Sequence, residues 1–126
     1  MTQLRTAWRR AVTAAVGPIA DGPGLADLLA FLGPAAAESD WTCDAVETRG
    51  PLADELRREA EAGPILGHRL AELAAGITHV SDGTFEATRP GEDRPWLSLR
   101  AGDGGPFVVA TRSRALLDDL RHRFGG

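Results

Sequence analysis

Lysine, asparagine and tyrosine are absent from this 126-residue chain, and cysteine occurs once. Without lysine there is no Schiff-base amine and no phosphate-loop lysine, and without tyrosine there is no phenolic acid or nucleophile. A lone Cys43 excludes an internal disulfide and suits a reducing cytosol. No apolar run approaches the ~18 residues a spanning helix needs. The apolar residues around Arg5, Arg9 and Arg10 are spaced apart, unlike the continuous core of a signal peptide. A coherent basic patch is missing too. The fourteen basic residues, all arginine, are interleaved with eighteen acids for a net charge of −4, which disfavours nucleic acid as a partner. Arginine in place of lysine, with abundant alanine, glycine and proline, is the bias expected of a GC-rich bacterial genome.

What is present fits one globular domain over residues 1–126, of ordinary hydrophobic and charged content. Leu4, Trp8, Ala11, Val12 and Ala15 fall on one helical stripe, so Thr2–Val16 is expected to be a helix ended by Gly17-Pro18. Leu25, Leu28, Leu29 and Leu32 mark a second helix stopped by Gly33-Pro34. Trp41, Cys43 and Ala45 alternate with Thr42, Asp44 and Val46, which predicts a short edge strand. Pro51 opens a third helix carrying Leu52, Leu56 and Ala60. After Gly63-Pro64, Leu66, Leu70, Leu73 and Ala74 predict a fourth, ended by Gly76.

From Ile77 the period changes to two. Ile77–Val80, Thr84–Arg89, Trp96–Arg100 and Pro106–Ala110 read as four strands forming two hairpins. Ser81-Asp82-Gly83 and Gly102-Asp103-Gly104-Gly105 supply the tight turns, and Pro90–Pro95 a longer one. Ser113 is a natural N-cap for a last helix with Leu116, Leu117, Leu120 and Phe124 inward. The expected fold is α+β: an antiparallel meander of four to five strands, helices packed on one face, N-terminal helices and a C-terminal helix. The core should hold Trp8, Val12, Leu28, Leu32, Leu56, Leu70, Leu73, Leu99, Val108, Leu116 and Leu120.

Reactive residues are sparse. Cys43 has Asp44 beside it, which disfavours a thiolate, and a buried core thiol explains it. His68, His79 and His122 show no metal-ligand spacing, and no metal or other cofactor is expected. His79, Ser81 and Asp82 stand together, but serine, aspartate and glycine are also what a hairpin turn demands. Gly17–Gly24 precedes a helix without a dinucleotide or phosphate-loop pattern. The terminal Gly125-Gly126 resembles the tail of ubiquitin-like and sulfur-carrier proteins, in which it follows a strand. Here it follows an expected helix, and a glycine-terminated helix end accounts for it.

Two expectations for function result. The first is a non-enzymatic interaction module of a bacterial cytoplasm, such as an adaptor, chaperone, immunity or regulatory protein. It would bind a protein partner or a second copy through Trp41, Phe85, Trp96 and Phe107 on an exposed sheet face, with no membrane involved. The alternative is a small-molecule-binding domain or small enzyme. Its pocket at the helix–sheet boundary would be lined by Asp44, Glu47, His79, Glu86 and Arg100.

Overall fold

The computed structural model describes residues 15–18, as backbone, and 24–102 and 106–125 in full. Six strands form one sheet: β1 (Ala15–Pro18), β2 (Asp40–Arg49), β3 (Ile65–Leu66), β4 (His79–Thr88), β5 (Leu97–Ala101) and β6 (Val108–Thr111). Among the described residues five helices accompany them: α1 (Leu25–Leu32), α2 (Pro34–Ala37), α3 (Ala53–Ala62), α4 (Gly67–Ala74) and α5 (Arg114–Phe124). The strand order is β1-β6-β5-β4-β2-β3, and every neighbouring pair is antiparallel. The α+β class is as expected; of the four-strand meander expected from Ile77, the first two strands are one continuous strand, β4, which β5 and β6 follow as expected. Two short strands, β1 and β3, lengthen the sheet at its edges.

Side-chain alternation assigns the two faces. Trp41, Cys43, Phe85, Ala87, Leu97, Leu99 and Val109 are buried on one of them. They share a core with Leu28 and Leu29 of α1, Leu56 of α3, Leu70 and Leu73 of α4, and Leu117 and Leu120 of α5. The described helices therefore lie on one face. The other face carries cross-strand rows, one of which runs Thr42, Glu86, Ser98, Ala110 and the next Asp44, Thr84, Arg100, Val108.

Local signals explain most boundaries. Gly33 ends α1 at φ 68°, and Pro34 opens the short α2 that sequence reading treated as a connection. Ser113 caps α5 by accepting from the Leu116 amide at 3.1 Å. Gly125, at φ 82°, ends α5 with its amide on the Arg121 carbonyl.

Several expectations require correction. Ala15 and Val16 are not helical; they begin β1 and pair with Thr111 and Ala110. The rest of the first expected helix, with core candidates Trp8 and Val12, lies outside the described residues, as does most of the Gly17–Gly24 loop. Ser81-Asp82-Gly83 makes no turn. It lies inside β4, because Val80 and Thr84 both pair with β2, to Thr48 and Asp44. Gly83 serves close packing instead: a Cβ there would sit 3.1 Å from the Phe85 ring, at φ 153°. Val108 faces away from the core. Leu99 is inward and pairs with Val109, so Val109 takes the buried position. Leu32 and Leu116 are half-buried.

Candidate functional site

The four aromatic residues expected on an exposed face are in the core. Trp41 and Phe85 are 0% exposed, Phe107 6% and Trp96 8%. Trp41 and Cys43 of β2 and Phe85 and Ala87 of β4 face the helices, so no apolar patch of these aromatic residues is available to a partner. Both tryptophans spend their polar groups internally. Trp41 donates Nε1–H to the Ala36 carbonyl at 2.9 Å. Trp96 donates to Ser39 Oγ at 2.9 Å, and Ser39 donates to the Ala35 carbonyl at 2.8 Å. These bonds tie α2 to the sheet. The Arg89 guanidinium covers the remaining Trp96 face, 4.7 Å from the ring centre.

The five residues proposed as a ligand lining do not converge. Asp44, Glu86 and Arg100 lie on the outer sheet face, on three different strands and in two rows. Glu86 is buried and engaged in an interaction of its own. Glu47 lies past an irregularity opposite Asp82, and His79 pairs with Arg49 at the far end of β4. Sheet geometry alone spreads this set over more than ~10 Å, whereas a ligand lining needs convergent groups.

The feature that does form a concavity is the edge of β2. The ladder with β4 shifts between Asp44 and Glu47, where β2 has one extra residue, and shifts back between Glu47 and Thr48, where β4 has one. Ala45, in the bulge, is the only non-glycine residue at positive φ among the described residues, at 52°. On its other side β2 pairs with β3 only at Asp40 and Trp41. Beyond them, no described strand lies against that edge. Helix α3 packs under β2 through Leu56 and flanks the edge. An open groove of about 400 Å³ results between residues 43–47 and Arg57, Ala60 and Glu61.

The groove is acidic. Asp44, Glu47 and Glu61 line it, against the single cation Arg57, whose guanidinium is 3.4 Å from Asp54. Cys43 borders it, but burial, with help from the Asp44 charge, pushes its thiol up to about 12. At neutral pH it is a protonated thiol and a poor nucleophile. Sequence reading named Asp44 and Glu47 but missed Ala45, Arg57, Ala60 and Glu61. One signal was present: Ala45-Val46 places two apolar residues side by side in an alternating run, which marks the change of phase at a bulge.

A second concavity of about 360 Å³ involves Arg89, Glu92, Trp96, Thr111, Arg112 and Ser113. Three of its polar side chains are already engaged. Thr111 donates to the Trp96 carbonyl and accepts from the Ser113 amide, Arg112 donates to the Pro95 carbonyl, and Ser113 caps α5.

The densest charge cluster straps α3 to α4. Arg69 donates to Glu59 at 2.7 Å and to Glu72 at 3.1 Å, and lies 3.8 Å from Glu55, which also pairs with Arg58. The hydrogen bond from Arg69 holds the Glu59 carboxyl below its usual range. Every member has a partner, so the cluster is a structural link. Among the described residues no group of three or more His, Cys, Asp or Glu is placed to hold a metal ion, and no helix is long and apolar enough to cross a membrane. No family model, curated protein or solved structure matches this chain.

Proposed function

We propose that this chain is a protein-interaction module whose docking element is the β2 edge beside α3. The observation that carries the reading is the length mismatch between β2 and β3. Ten residues of β2 meet two of β3, so from Thr42 onward no described strand pairs with that edge, and residues 43–47 border an open groove. Exposed edges pair readily with other chains, and short peptides bind by adding a strand to such an edge. The α3 residues beside it give the backbone a neighbouring surface that can select side chains. The arginine-only basic set fits a GC-rich bacterium, and a single cysteine, with no internal disulfide, fits its cytoplasm. A partner of different sequence is favoured over a second copy, since two acidic grooves brought edge to edge would repel.

The test is to pan a displayed library of random twelve-residue peptides on the protein, then on an Ala60→Arg variant. Ala60 lines the groove and a long side chain there can still reach solvent. Peptides that bind the parent and lose binding to a variant of unchanged thermal stability support the reading. A library that yields none, with light scattering showing a monomer throughout, refutes it.

A further inference from the structure

Resting on that docking reading, we infer that the groove takes a basic segment of another chain, extended and antiparallel to β2. Three observations fix the occupant. The first is direction. The β2 edge already accepts one strand of this chain, with Trp41 opposite Ile65 and Asp40 opposite Leu66, antiparallel. An incoming segment alongside residues 42–47 continues the line of β3, its C-terminal end reaching Pro64 just ahead of Ile65. The second is length. Five residues of β2 border the groove, and the bulge at Ala45 interrupts a regular ladder, so roughly four extended residues fit at ~3.3 Å each. The third is charge. Three carboxylates and one arginine line the groove, and that arginine lies beside Asp54. An arginine- or lysine-bearing strand places cations against Asp44, Glu47 and Glu61, and the net charge of −4 steers it inward. Val46 and Ala60, both half-buried against the core, offer the apolar contact for side chains between the cations.

The experiment uses three capped eight-residue peptides at about 0.15 M salt, where diffuse surface attraction is screened beyond ~8 Å. One alternates arginine and valine, one replaces its central valines by proline, and one alternates glutamate and valine. Binding is followed by amide shifts of the ¹⁵N-labelled protein. Shifts from the arginine–valine peptide concentrated in residues 42–47 and 57–61 are expected. Binding of the proline and glutamate peptides should be weaker by about tenfold or more, as should binding of the first peptide to the doubly substituted Glu47→Arg, Glu61→Arg protein. Both glutamates are exposed, so that variant should fold normally. The inference is overturned if the proline peptide binds as well, since backbone pairing is then unnecessary. Equal binding of the glutamate peptide, or no loss in the double variant, also overturns it. If library peptides shift the groove amides but carry no excess of basic residues, docking stands and the basic-strand inference fails. If no peptide from either source shifts them, both fail.

Discussion

Replacing Ser39 by alanine should destabilise this protein by about 2 kcal/mol, although Ser39 is one small residue at the end of a four-residue helix. Its side chain is 0% exposed and has two jobs. It accepts from Trp96 Nε1 at 2.9 Å and donates to the Ala35 carbonyl at 2.8 Å. The alanine variant leaves the buried indole N–H without an acceptor, a loss of ~1–3 kcal/mol, and the Ala35 carbonyl without that donor. Urea unfolding followed by far-UV circular dichroism measures the cost without relying on tryptophan emission. For a chain of this size ~2 kcal/mol corresponds to a fall of roughly 6–10 °C in Tm. A cycle with Trp96→Phe isolates the hydrogen bond, because phenylalanine removes the donor. The two substitutions together should cost about 1 kcal/mol less than their sum. A Ser39→Ala cost under about 0.5 kcal/mol, or strict additivity, would refute the claim that this bond secures α2 to the sheet.

Gly67→Ala should be more severe, because its Cβ would lie 2.7 Å from the Ala37 carbonyl carbon and closer still to the Ala36 carbonyl oxygen; a loss at or above ~3 kcal/mol is expected by urea unfolding. Ala45→Gly should stabilise by ~0.5–1 kcal/mol, read as a Tm rise of a few degrees, because glycine adopts φ 52° without the Cβ penalty. Cys43 should resist iodoacetamide in the native protein at pH 8 and react at an ordinary rate in urea, since its thiol is buried and pushed up to about 12; rapid native labelling would contradict its placement. Glu59 has a folded-state pKa below its unfolded value of ~4.3, so its contribution is present above that value and lost as pH falls through the lower, folded one. Glu59→Gln should therefore flatten the acid limb of a stability-against-pH curve while removing stability at pH 7.

How much of this was legible depended on whether a signal was local. The leucine spacing of α1, its Gly33-Pro34 stop, the strands around Thr84–Thr88, β5 and β6, and the Ser113 cap are set by residues close in sequence, and all were readable. Strand β3 is two residues between Pro64 and Gly67, too short to show any period. Ser81-Asp82-Gly83 has the composition of a turn, yet its conformation is decided by β2, more than thirty residues earlier. The aromatic residues were identified as important but placed on the wrong side, because the facing of a strand is known only once its register is. Val108 and Val109 show this most directly: equal in chemistry and adjacent, they are separated only by the pairing of Val109 with Leu99. Of the groove, sequence reading supplied two acids, and the helix residues opposite them were invisible because nothing local sets α3 beside that edge.

The bulge that hid the groove also explains why β4 is one strand. Along β2, Trp41 and Cys43 face the core. Strict alternation would put Ala45 next, but Ala45 is exposed and Val46 packs on the core instead, so the extra residue changes the phase of the strand. The matching extra residue in β4, around Ser81, restores the pairing, and buried Val80 comes to lie opposite half-buried Thr48. Two irregularities that look like defects thus keep apolar residues inward along both strands. They also limit what the outer edge can accept. A regular ten-residue edge would pair with almost any strand, whereas one broken at Ala45 presents only a short run beside β3. An edge interrupted in this way discourages indiscriminate pairing, and that protection is compatible with the proposed docking of a brief, charge-matched segment.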